Sequence, residues 1–260
     1  MKIDCAVKYT LSQNVKKAFT LVEILLAIGI LGVVAVVTIP PLVKNYQKSQ
    51  YVTALEKAYT AFNQVLKQMA ADAGCVNDLR CSGLFATGTT NQVFGDEFIK
   101  YIKVIKNCGI STGQGCWSVS TNANYDGTSI TDYYFDNSSE YKFITADGMS
   151  VQIANYSNNC TQGGINSSTG ALGYMSQVCG FIIFDVNGHK EPNDRGRDVF
   201  HFFITNGNGA FLYPSGGKDD NFTGSNQWWN DAGRNGCSNS EKMGYYCPGR
   251  IIENNWQMDY

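Results

Sequence analysis

Glu23 is the only charged side chain in the run FTLVEILLAIGILGVVAVVTIPPLV, residues 19–43. A carboxylate inside hydrocarbon costs about 2.5–3.5 kcal/mol on insertion scales, so it calls for a partner. A lone spanning helix supplies none, whereas a second copy of the chain could offer an amine at the same depth. The chemistry expected of Glu23 is therefore ion pairing between subunits. The competing reading is an acid close enough to the helix end to reach the interface.

A second set of chemically able residues lies in FDVNGHKEPNDRGRDVFHFFITNGNG, residues 184–209. Asp185, Asn187 and Asp198 are hard oxygen donors around a Gly- and Asn-rich loop, the type of set that suits Ca²⁺. The EF-hand spacing and its terminal Glu are missing, so the signal is weak. The preferred reading is a hairpin whose Asp and Asn side chains satisfy turn backbone. His189 and His201 are the only histidines, and no Ser-His-Asp or Cys-His arrangement can be picked out. No enzyme is expected, and no cofactor is required beyond that possible Ca²⁺.

Nine cysteines stand at 5, 75, 81, 108, 116, 160, 179, 237 and 247, with no CxxC pair to favour a zinc ribbon or a redox motif. Successive members from Cys75 onward lie close enough to close short disulfide loops, which implies an oxidising compartment. Pairing Cys75 with Cys81, Cys108 with Cys116, Cys160 with Cys179 and Cys237 with Cys247 is one of the many connectivities open to eight cysteines. Buried free thiols in a cytosolic protein are the alternative.

Those side chains need elements to hold them. At about 1.5 Å per residue, a helix over 19–43 spans a bilayer of roughly 30 Å. Lys16 and Lys17 precede it, with Lys2 and Lys8 further upstream, so the positive-inside tendency keeps the N-terminus cytoplasmic and delivers the rest outside. No obvious A-x-A site ends the run, so it is expected to stay attached. After Pro40-Pro41 the pattern turns amphipathic: Tyr51, Leu55, Tyr59, Phe62, Leu66 and Met69 recur at helical steps. One helix is expected to about residue 72, loosened at the prolines and ended by Gly74.

Beyond Cys75, Gly-, Asn- and Ser-rich stretches separate strand-like runs at Tyr141–Thr145, Ser150–Ile153, Gly180–Val186 and Val199–Ile204, with Glu97–Ile105 readable as strand or helix. Asp147-Gly148 and Asn187-Gly188 favour hairpins. An α+β fold follows, with an antiparallel sheet laid on the helix. Hydrophobic residues make up 43% and charged ones 16%, which fits a folded, turn-rich chain rather than a disordered one. Without residues 1–18 the chain holds 16 basic and 21 acidic residues, net −5, so no nucleic acid partner is expected. Trp228-Trp229 reads either as an exposed surface for carbohydrate or protein, or as cover for a small disulfide-tied core.

Lys16-Lys17-Ala18 followed by Phe19-Thr20-Leu21-Val22-Glu23 resembles the N-terminal signal of type IV prepilins and type II secretion pseudopilins. In that family a membrane peptidase cuts before the Phe and methylates the new amine. The resemblance implies cleavage between Ala18 and Phe19, N-methylation of Phe19, Glu23 paired with a neighbour's N-terminus, and Pro40 as a helix-kinking proline. Ala18 stands where the family usually has Gly. The removed leader would carry Cys5 with it and leave an even eight cysteines.

The implied parts are a leader (1–18), a membrane and polymerisation helix (19–43), an amphipathic spine (44–72) and a head (73–260) in a pilin-like α+β fold. Implied partners are identical or related pilin subunits, the prepilin peptidase/methyltransferase, an assembly platform with its ATPase, and the inner membrane. From there the subunit would pass to a surface filament or a periplasmic pseudopilus. Within the resemblance a C-terminal disulfide loop at Cys237–Cys247 is expected, and some pseudopilin heads bind calcium. A filament-tip adhesin is the alternative function.

Overall fold

Helix α1 (Leu21–Asp72) carries both the apolar run and the amphipathic stretch, with Pro40 and Pro41 inside it. The computed structural model describes residues 19–118, 136–161, 177–207, 210–217, 237 and 244–260. The chain divides into two compact units, Met1–Tyr46 and Gln47–Tyr260. In the first, every large apolar side chain from Phe19 to Tyr46 is exposed. Each proline withholds a backbone donor from the helix ladder there, and just upstream Thr38 bonds back to the Val34 carbonyl at 2.9 Å.

In the second unit, the face of α1 made by Val52, Leu55, Ala58, Phe62, Val65, Leu66, Met69 and Ala70 is buried. Leu55, Phe62, Leu66 and Met69 are where the periodicity puts them. Tyr51 and Tyr59 are only half-buried at the rim. A phenol buries its ring and keeps its hydroxyl near polar partners, and Tyr59 reaches the Leu212 carbonyl at 3.4 Å. Gly74 ends the helix in the left-handed region (φ +79°). Its N–H donates to Ala71 and that of Cys75 to Ala70, each at 2.9 Å, the two bonds of a Schellman motif.

A 3₁₀ turn (Leu79–Ser82) and helix α2 (Asn91–Phe98) follow, the latter capped by Thr90 through the Val93 amide. The run Glu97–Ile105 is neither one strand nor one helix. It divides among the end of α2, a 3₁₀ turn (Ile99–Tyr101) and the start of the first strand.

The sheet is a six-stranded antiparallel meander in order β1 (Val104–Gly109), β2 (Tyr141–Thr145), β3 (Ser150–Asn155), β4 (Val178–Asp185), β5 (Val199–Gly207) and β6 (Ala210–Pro214). Asp147-Gly148 closes β2 on β3 with Thr145 and Met149 bonded at 3.0 Å. Asn187-Gly188 does not make a tight hairpin; it opens a long connection from β4 to β5. One sheet face meets the helix. Phe143, Val151, Ile153, Ile182, Phe184, Phe200, Phe202 and Ile204 are fully buried there. Phe62 of α1 sits among them, its ring 4.8 Å edge-on to Phe184 and 5.8 Å from Phe98. Helix α3 (Cys247–Glu253) packs against β5 and β6.

Four disulfides join Cys75–Cys81, Cys108–Cys116, Cys160–Cys179 and Cys237–Cys247, each cysteine with its sequence neighbour. Long apolar helix, antiparallel sheet and disulfides together make the α+β fold that the sequence implied. Cys5 and Ala18 lie outside the described residues, as do Trp228 and Trp229.

Candidate functional site

The start of α1 is a capping box. Thr20 donates its N–H to Glu23 Oε2 at 2.8 Å, and its hydroxyl donates to the same oxygen at 2.8 Å. The Glu23 N–H in turn reaches the Thr20 hydroxyl at 3.2 Å. Two otherwise orphaned helix-end donors are satisfied, and a negative charge sits at the positive end of the helix dipole. Phe19, next to the cap, is 78% exposed. The helix that follows is long and apolar enough to cross a membrane.

The second arrangement is the β4–β5 connection. Asp185 ends β4 and Asp198 precedes β5, both fully buried, and the base of the loop is closed by the Val186 N–H on the Asp198 carbonyl at 2.9 Å. Asp198 Oδ2 accepts the Asn193 N–H at 2.9 Å and Oδ1 the Asp194 N–H at 2.7 Å. That is the turn-satisfying role the sequence suggested for it. Burial pushes Asp198 up to about 6. Asp185 is raised well above the usual carboxylate range, by burial first and then by the charge of Asp198, while the backbone N–H groups of Asn187 and Gly188 act in the other direction. Gly188 has φ +65°, and a Cβ there would lie 2.3 Å from the Gly148 carbonyl oxygen, so only glycine fits.

Asp185 Oδ1 and Asn187 Oδ1 are buried without a hydrogen-bond partner. The Asn187 side-chain N–H donates elsewhere, to the Glu191 carbonyl at 3.3 Å. The Asn193 amide, 1% exposed, aims one terminal atom at Asp185 Oδ2 (3.0 Å) and the Gly188 carbonyl oxygen (3.1 Å). With nitrogen at that position the amide donates to both; with oxygen there, three oxygens face one another. Among the described residues no group of three or more His, Cys, Asp or Glu is placed to hold a metal. A cation here would rest on two carboxylates and several neutral oxygens, a donor set that fits Ca²⁺. Asn193 and the Gly188 carbonyl escape a sequence reading, since a carbonyl ligand leaves no side-chain signature.

Residues 13–39 match the prokaryotic N-terminal methylation motif, the signature of type IV pilins and pseudopilins. The chain carries that motif. No curated protein and no solved structure matches it. The methylation motif takes in Phe19, Thr20 and Glu23, so the capping box lies inside it.

Away from the methylation motif, the histidines are not brought together. His201 Nδ1 lies 2.6 Å from Ser215 Oγ and Nε2 3.1 Å from the Tyr245 hydroxyl. This pairing depends on the β5–β6 register and was not legible in the sequence. Burial, then the nearby charge of Arg195, lowers His201 to about 3, so the ring is neutral. It is packed between Phe181, Phe203 and Tyr245, with Ser215 fully buried. The trio ties β5 to the C-terminal segment.

Proposed function

We propose that this chain is a structural subunit of a type IV pilus-like filament or of a type II secretion pseudopilus. Its leader is cut between Ala18 and Phe19, the Phe19 amine is methylated, and the subunit polymerises through the first half of α1. The observation that carries this is the methylation motif at 13–39 leading straight into the first half of α1, whose large apolar side chains up to Tyr46 are all exposed. Such a surface is stable in two settings, lipid and a bundle of like helices, and the subunit passes from one to the other. In the inner membrane, Lys16 and Lys17 hold the N-terminus on the cytoplasmic side and the head stands outside.

Glu23 sets register by accepting a neighbour's Phe19 amine, because a carboxylate has lone pairs to spare beyond the Thr20 bonds. Pro40 leaves the helix short of a backbone bond and lets it adjust to its neighbours. The partners are other pilin-like subunits, the peptidase that also methylates, and the assembly platform with its ATPase. The alternative of a tip adhesin drew on Trp228 and Trp229, and no observation on the described residues adds to it.

Mass spectrometry of the N-terminus of chain recovered from membranes tests the proposal. N-methylated Phe19 is the expected result. A mature chain beginning elsewhere, or keeping residues 1–18, would overturn it.

A further inference from the structure

A small apolar socket opens where the spine stretch of α1 meets the β2–β3 turn. Its volume is about 230 Å³, and Ala58, Ile102 and Met149 are among its walls. Ala61 on α1 and Ala146 at the turn also border it, both exposed, and their short side chains leave the opening clear. Sites for cofactors and drug-sized ligands run to about 300–1,000 Å³, so this space suits a single aliphatic side chain. Lys57, Lys103 and Asp147 stand at the rim. Lys57 is paired with Asp147 at 2.9 Å. Lys103 is exposed and makes no ion pair among the described residues, so the rim keeps a net positive charge.

The matching knob is Val76. At 81% exposed it stands further into solvent than any other large apolar side chain described in the second unit. It belongs to the loop closed by Cys75–Cys81. The Leu79 N–H on Asn206 Oδ1 at 2.6 Å fastens that loop to β5, and Asp78 caps the 3₁₀ turn through the Arg80 N–H at 3.0 Å. A side chain carried on a backbone already held loses little freedom on docking. Charge favours Val76 as well. Ile105, next in exposure, stands between Lys103 and Lys106, the sign of the socket rim. Val76 stands between Asp72 and Asp78. Asp72 is exposed, and its carboxylate is held by neutral groups, the Gln68 amide at 2.9 Å and the Tyr101 hydroxyl.

Knob and socket are kept apart within one chain. The socket lies by Thr145 and Met149, at the end of the sheet where Ser150 pairs with Asp185 and Asp185 with Val199. The knob loop is fastened to Asn206, at the other end of β5, roughly 20 Å away at about 3.3 Å per residue. The helix gives a similar figure: from Ala61 to Asp72 is about 16 Å at 1.5 Å per residue, and the loop follows.

We infer that Val76 of one copy seats in the Ala61 socket of another, with Asp72 facing Lys103 across the rim. The inference rests on the filament reading above. Knob and socket are different surfaces of the same chain, so the contact is head-to-tail and repeats without limit unless its rotation closes a ring. It sets two parallel copies about 20 Å apart along the spine, an order open to subunits drawn one after another from the same membrane.

Carbodiimide cross-linking, which joins a carboxylate to an amine in direct contact, tests this on full-length chain assembled from mixed light- and heavy-nitrogen subunits. Peptides joining Asp72 of one isotope to Lys103 of the other are expected, and Lys103→Gln removes them. That reading is made on the native chain and does not depend on how variants fold. Val76→Ser and Ala61→Leu, both at exposed positions, should each lower the assembled fraction about tenfold, and the two together no further, since each removes the same contact. Membrane insertion and the Phe19 N-terminus stay as in the native chain. Links between copies that leave out Asp72 and Lys103, or losses that multiply in the double variant, overturn the contact and leave the filament reading standing. Native chain recovered only as unlinked single subunits overturns both.

Discussion

The Thr20 N–H donates to Glu23 Oε2 at 2.8 Å while the Glu23 N–H donates to the Thr20 hydroxyl at 3.2 Å. The carboxylate is thus held in place by its own chain before any neighbour arrives. A preset acceptor loses little side-chain entropy when an amine docks on it. Capping and subunit pairing are separable roles of one side chain, and substitution can tell them apart.

Glu23→Gln keeps an acceptor for the Thr20 N–H and removes the charge, whereas Glu23→Ala removes both. Both variants are expected to insert and to be cut. Both should enter filaments about tenfold less than the native chain, the effect of roughly 1.4 kcal/mol per contact. Quantitative immunoblotting of sheared filaments measures this. If Glu23→Gln assembles like the native chain, the cap and not the charge is what matters.

Phe62→Ala should cost about 3–5 kcal/mol. The ring is fully enclosed and touches Phe98, Phe143 and Phe184, so its loss leaves a cavity that three other large rings border. Denaturant unfolding in micelles gives the number. A cost under about 1 kcal/mol would mean that the core closes over the gap.

His201 makes stability depend on pH. Its value falls from 6.5 unfolded to about 3 folded. Above pH 6.5 neither state holds the proton, and the stability is fully present. As pH drops from 6.5 toward 3 the unfolded chain takes up a proton that the folded one refuses, and stability is lost. Against His201→Gln, which is weaker at pH 7 through lost ring packing, the advantage of the native chain should shrink by about 2 kcal/mol between pH 7 and pH 5. A constant difference across that range would refute the assignment.

Tyr260→Phe strips the hydroxyl that serves the buried Gly196 carbonyl and keeps the ring under Arg250. The expected cost is about 1–2 kcal/mol, read as a lower unfolding midpoint. Hydrogen exchange near residues 194–198 should rise with it, while exchange in β2 and β3 stays unchanged.

Much of this architecture is written in the residue pattern. Strands β2 to β5 are legible because their apolar and β-branched runs stand between turn residues. Strand β6 hides because Asn206-Gly207-Asn208-Gly209 before it and Pro214 at its end read as loop. Strand β1 is polar and irregular, with register shifts against β2 at both ends. The alternation in β3 is masked because Ser150 and Gln152 are as buried as Val151 and Ile153. At the candidate cation site Asp185, Asn187 and Asp198 announce themselves by type. Asn193 does not, since its place follows from a backbone at φ +52° that no side-chain pattern encodes.

Each strand after β1 pairs with the one before it in the chain, and the described cysteines pair two by two in chain order. In the topology proposed above, the head emerges across the membrane with Cys75 first and Cys247 last. Whenever a second thiol of a pair appears, its one waiting mate is already out and every earlier thiol is spent. An oxidant that joins thiols in order of emergence therefore makes the native set without reshuffling. The meander can lay itself down in the same sequence, since each new strand finds the edge that it pairs with already in place.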